Sequence, residues 1–224
     1  MGGHTEITDL VRRPAVVTTA FGLTHEGSVV RTSGATPGDV VLMTKEAGIE
    51  GASILATDFA DALRAAGLCE DLIREAAGKI RLVSVVPEAL ALAREGLASS
   101  MHDPTEGGLV AGLTEIAYAS GTSIVAYAER IPVSRSTREV AGALGVDPLR
   151  MLSSGSLLAT IPRESVDKAL EVLDDVGVPV AVIGEVIEKR DYLLKLVRPD
   201  GSEEVFREPY CRDEVMELWT RSRQ

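Results

Sequence analysis

Apolar residues recur along this chain with two periods, and the period changes near residue 46. Before that point the runs are β-branched and short. Residues 15–21 (Ala-Val-Val-Thr-Thr-Ala-Phe) and 28–31 read as strands separated by Gly22 and Gly27. Pro37-Gly38-Asp39 is a turn leading into a third apolar strand, residues 40–44. Beyond Gly48 a helical spacing takes over. Ile54, Leu55, Phe59 and Leu63 share one face over residues 51–63, and helices follow over 70–77 and 87–97, the last with Pro87 at its first position. Residues 96–99 read as a short buried strand entering a polar turn. Leu109, Leu113, Ile116 and Ala117 then mark an amphipathic helix to about Ser120, closed by Gly121.

The remainder alternates. Strands are predicted over 123–128, 157–161 and 178–186, with helices over 135–144 and 166–176 between them. Residues 192–197 and 204–206 flank Pro199-Asp200-Gly201-Ser202 as a hairpin, and a last helix carries Val215, Leu218 and Trp219. This order predicts a layered α/β (α+β) fold, divided into a β-rich segment over 1–45 and an α/β domain over 46–224.

Composition narrows the function classes. The chain has 224 residues, 45% hydrophobic and 25% charged, enough for a sizeable core. With aromatics at 4%, that core is built from Ala, Val, Leu and Ile. A net charge of −11 argues against a nucleic-acid partner, which needs a basic surface. No apolar run approaches the roughly 20 residues that span a bilayer, so no membrane association is expected. Cys69 and Cys211 form no CxxC, and no secretory leader pattern opens the sequence, which points to the cytoplasm.

The candidate chemistry centres on Ser100-Met101-His102-Asp103-Pro104-Thr105-Glu106-Gly107-Gly108-Leu109. Either Asp103 or Thr105 can cap the following helix, and Gly107 and Gly108 permit close approach of a ligand to the backbone. Free N–H groups and the positive end of the helix dipole make the turn a candidate anion or phosphate site; a purely structural turn is the alternative. Glu106 suits a metal or the first turn of the helix. His102 and Asp103, adjacent on a strand, point to opposite faces, which favours Asp103 as a cap or ligand over a His102–Asp103 pair. Two further stretches stand out: Gly2-Gly3-His4-Thr5-Glu6, which suits a phosphate-orienting loop or a simple terminus, and Ser153-Ser154-Gly155-Ser156-Leu157.

Together, in this order, the three stretches resemble the aminoimidazole-ribonucleotide (AIR) synthase superfamily. Its members include that purine enzyme, selenophosphate synthetase, thiamine-monophosphate kinase and the hydrogenase-maturation dehydratase. Met101 to Leu109 most resembles the hydrogenase expression/formation branch. The resemblance implies ATP and Mg²⁺ as cofactors, with phosphorylation turning an oxygen into a leaving group. It also implies a homodimer formed through an N-terminal β-rich domain, whose acids hold the Mg²⁺. The phosphate-binding residues it implies are Gly2, Gly3, His4, Thr5, Glu6, Asp103, Thr105, Glu106, Gly107, Gly108, Ser153, Ser154 and Gly155.

Two departures matter. The Gly-Gly-His-Thr-Glu stretch begins this sequence, whereas in the family it closes the N-terminal domain, so most of that domain is expected to be absent. Cys211 stands before the end, whereas the hydrogenase-maturation enzyme ends in a cysteine that carries its substrate group. Three readings follow: an ATP-dependent enzyme, a non-catalytic dimeric scaffold, or a piece completed by a separate partner carrying the N-terminal domain.

Overall fold

The computed structural model describes residues 3–11, 14–25 and 27–221, so Gly2 of the first motif stretch lies outside the described residues. Seven strands form one sheet in the order β2-β4-β1-β5-β3-β6-β7. They are β1 (Val40–Thr44), β2 (Ser100–His102), β3 (Ser123–Tyr127), β4 (Leu158–Ile161), β5 (Val180–Ile187), β6 (Leu194–Val197) and β7 (Glu203–Phe206). Among the described residues every pairing is antiparallel except that of β3 with β6.

Strand β1 lies inside the sheet because its run Val-Val-Leu-Met-Thr is buried on both faces. Val41 and Met43 face α5 (Gly108–Ser120), where Leu109, Leu113 and Ile116 meet them. Val40 and Leu42 face the other way, onto Leu92 of α4 (Val86–Arg94) and Leu173 of α7 (Val166–Asp175). Each fully buried Leu or Ile contributes about 1.5–3 kcal/mol by leaving water. A third cluster joins α1 (Ile49–Asp58), α2 (Ala60–Ala65), α3 (Glu70–Ala77), α6 (Arg135–Ala143) and α8 (Glu214–Arg221). Trp219 of α8 meets Phe59 edge-on there, with ring centroids 6.4 Å apart.

The α/β class and most elements from residue 70 onward stand where the pattern predicts them. Three local expectations are corrected. Residues 15–21 and 28–31 form no strand among the described residues and lie largely exposed. Their β-branched side chains have no sheet to pair with, and β propensity without a partner strand fixes nothing. The helix over 51–63 is broken at Phe59, whose φ of −115° and ψ of 23° leave the helical range and separate α1 from α2. The strand entering the polar turn is residues 100–102 instead of 96–99, because Ser100, Met101 and His102 are the ones in register with β4.

Candidate functional site

Two of the three motif stretches meet. The edge strand β2 delivers Asp103 past its last paired residue, and its Oδ1 accepts the backbone N–H of Gly155 at 3.3 Å. This bond joins the turn before α5 to the Ser-Ser-Gly-Ser loop before β4. Burial holds the Asp103 carboxyl above its ordinary value, against the Gly155 amide and the fields of His102 and Lys45. His102 turns away from Asp103, as strand alternation requires. Its Nε2 lies 2.7 Å from Glu115 Oε2 and its Nδ1 3.3 Å from Thr32 Oγ1.

Within the loop, Ser153 is fully buried. Its hydroxyl accepts the Gly48 amide at 2.8 Å and lies 3.0 Å from the Ser156 hydroxyl, which donates to the Glu46 carbonyl. Ser153 therefore ties the β1–α1 connection to the loop. Ser154 beside it is partly exposed.

The start of α5 differs from the expectation of free donors. Neither Asp103 nor Thr105 caps it; Gly107 is the cap residue, with φ of 75° and no side-chain cap bond. Its N–H donates at 3.0 Å to the carboxylate of Asp213, 106 residues away. Gly108 N–H donates to Thr105 O, and Val110 N–H to Leu149 O. The glycines also serve a different approach from the one expected. A Cβ on Gly107 would stand 2.5 Å from the Cys211 carbonyl oxygen, and one on Gly108 2.5 Å from that of Met151. The chain's own loops press on these positions. Thr105 and Glu106 remain exposed at the tip.

Asp213 is the anion at this helix end. Oδ2 holds Gly107, while Oδ1 accepts the amides of Val215 and Met216 and so starts α8. Burial pushes its carboxyl up in spite of these amides. Nothing in the spacing of the motif stretches marks Asp213; the signal was local, an acid opening the last helix.

The first motif stretch is not brought to the other two. Gly3, His4, Thr5 and Glu6 are exposed, with His4 Nε2 3.8 Å from Glu6 Oε2. Among the described residues no hydrogen bond or ion pair joins them to the turn or the serine loop.

Sequence reasoning also missed a polar floor next to the site. Lys45 leaves β1 with φ of 55°, and Nζ reaches Glu88 Oε1 at 2.8 Å and the carbonyls of Leu82 and Ser84. Glu46 pairs with the buried Lys79 and takes the Ser134 amide. Lys45 and Glu46 follow an apolar strand and carry no motif, so only the fold reveals their partners.

A Mg²⁺ ion is usually held by one or two carboxylates besides a phosphate. Among the described residues, no three His, Cys, Asp or Glu side chains gather to hold a metal. Both cysteines are free thiols. No helix among the described residues is long and apolar enough to cross a membrane.

A mixed seven-stranded sheet with a glycine-bearing strand-turn-helix, bonded to a serine–glycine loop, defines an α/β domain of the AIR-synthase type. Residues 36–196 match the family described as AIR synthase related protein, C-terminal domain, and the chain belongs to that family. Among curated relatives it is 27% identical over 212 residues to carbamoyl dehydratase HypE of Rhizobium leguminosarum bv. viciae, covering 89% of this chain and 55% of that one. The crystal structure of E. coli HypE superposes with a TM-score of 0.65 at 26% identity, over 82% of this chain and 55% of that chain. A hydrogenase maturation protein HypE in complex with ATP shares the fold with a TM-score of 0.61 at 23% identity, over 84% and 55%. The chain spans about half the length of the curated relatives it matches.

Proposed function

We propose that this chain forms one side of a nucleotide site in an ATP-dependent, cytoplasmic enzyme of the AIR-synthase type, nearest in character to the hydrogenase-maturation branch. The observation that carries this reading is the Asp103–Gly155 bond, which places two motif stretches in one corner of the fold. A solved HypE of the same fold holds ATP, which supports the choice of ligand. In this reading Asp103, Thr105, Glu106, Ser154 and Gly155 face the phosphates, with Ser153, Gly107 and Gly108 shaping the backbone behind them. The Mg²⁺ carboxylates come from a further β-rich unit like that of the longer relatives. Of the stretch 1–45 expected to belong with that unit, residues 40–44 instead form β1 inside this sheet; the part before residue 32 goes with the further unit and pairs with it or with a second copy of the chain, giving a homodimer.

The test separates binding from turnover. The 224-residue chain is expected to bind a fluorescent ATP analogue weakly with or without Mg²⁺ and to release little or no phosphate. Asp103→Asn should weaken that binding, since the Gly155 amide loses its charged acceptor. Robust Mg²⁺-dependent turnover by the chain alone, or binding unchanged in Asp103→Asn, would overturn the reading. A second reading, a non-catalytic scaffold, is favoured by one observation: Asp213 already occupies the Gly107 donor at the helix end.

A further inference from the structure

A cleft of about 700 Å³ opens on the side of the molecule where β1 ends. Its walls are apolar, with Leu82, Pro87, Pro132, Val133, Val178 and Pro179. Its floor is Glu88, whose side chain is 1% exposed. Lys45 Nζ and the Thr44 hydroxyl both reach the same oxygen, Oε1, at 2.8 and 3.3 Å. The other oxygen, Oε2, has no hydrogen-bond partner among the described residues. The three donors of Lys45 are spent on Glu88 Oε1, Leu82 O and Ser84 O, so the lysine neutralises the carboxylate and offers nothing further to a ligand. At the rim stands Arg81, exposed and with no ion pair or hydrogen bond among the described residues.

Among the described residues the one fully buried side-chain polar atom without a partner is Thr122 Oγ1, so Glu88 Oε2 keeps contact with the cleft and is open to a donor there. A non-glycine backbone at φ of 55° is also held only where its surroundings over-determine it, and Lys45 is the one such residue described. Both features converge on one cleft whose apolar walls suit a compact organic body.

We propose that this cleft binds a small organic anion with an apolar body and one N–H or O–H donor. The donor bonds Glu88 Oε2 at the floor, the body lies between the proline and valine walls, and the anionic group meets Arg81 at the rim. The cleft adjoins the proposed nucleotide site, since Gly155 lies against Leu82 and Val83, but the two share no ligand-contacting residue and the proposal does not depend on that reading.

Indole-3-acetate is a suitable probe, because it joins a flat apolar body, one N–H and one carboxylate. Titration of the 15N-labelled full chain should give saturable shifts confined to residues 81–88, 132–134 and 177–179. A dissociation constant of about 1 mM or tighter is expected for a ligand of this size. The 1-methyl analogue, which lacks the donor, should bind about tenfold more weakly, and indole-3-acetamide, which lacks the charge, likewise. Arg81→Gln removes an exposed, unpaired side chain, leaves the fold intact, and should weaken indole-3-acetate to the level of the amide. No saturable binding, or binding indifferent to N-methylation and to Arg81→Gln, would overturn the proposal. Displacement of the probe by ATP would make the cleft part of the nucleotide site and overturn its separateness, whereas weak ATP binding without displacement leaves the two sites distinct.

Discussion

Ile7, Val17, Phe21 and Leu23 stand almost wholly in solvent at one end of the chain, while at the other Val215, Leu218 and Trp219 lie against the core. Apolar content does not separate the two segments; polar anchoring does. Residues 209–221 are fixed by the Pro209 carbonyl accepting from Thr114, by Asp213, and by the Glu214 carboxylate and amide bonded to Asp147 and Arg150 O. Among the described residues before Thr32 the bonds are local, such as Leu10 N–H to Thr8, and attachment to the body is first seen where Thr32 and Ala35 meet Ser120. A segment docks when hydrogen-bonded points hold its apolar face in register.

The sharpest way to break this contrast is to push the C-terminal segment off its seat. Gly107→Val places a branched side chain at φ of 75° and against the Cys211 carbonyl. It is expected to cost about 3 kcal/mol or more in urea unfolding. Gly121→Ala has a similar φ of 66° but open space, and should cost about 1 kcal/mol, which isolates the steric share. Next, Asp213→Ala leaves the Gly107 amide without its acceptor and α8 without its cap. A loss of about 2 kcal/mol is expected, with faster amide exchange across α8 than across α5.

A smaller effect concerns pH. Burial raises the Asp103 carboxyl above 3.8, so the folded state favours its protonated form. The stability this group contributes is full below that value and is lost as pH rises through the folded pKa. Asp103→Asn should therefore lose less stability than the parent as pH rises out of the acid range, read from urea midpoints; a parallel pH profile for both proteins would refute the assignment. Smallest of all, Val17→Ser with Phe21→Ser should shift the unfolding midpoint of the isolated chain by no more than about 0.5 kcal/mol. The same pair should abolish self-association seen by light scattering if those residues form the dimer contact; an unchanged dimer would remove them from it.

The motif turn and α5 were legible because both follow from local spacing: strand, polar tip, two glycines, then a 3.6-residue apolar repeat. The order of the α/β elements was legible for the same reason. What escaped were pairings across sequence. Asp213 reaches Gly107 over 106 residues, and Lys45 finds Glu88 only once β1 and α4 are packed. Residues 15–21 show the opposite failure: their strand composition is real, yet the described structure offers them no neighbouring strand.

The place of β1 in the sheet has a consequence for synthesis. Val41 pairs with Thr160 on one side and Gly184 on the other. At about 5–20 residues per second, β1 waits on the order of ten seconds after its synthesis for these neighbours. Its apolar run stays without strand partners throughout; α4 is the first element that can cover one of its faces, and α5 the first that can cover the other. A high share of such distant pairings also slows refolding relative to a helical bundle of equal size.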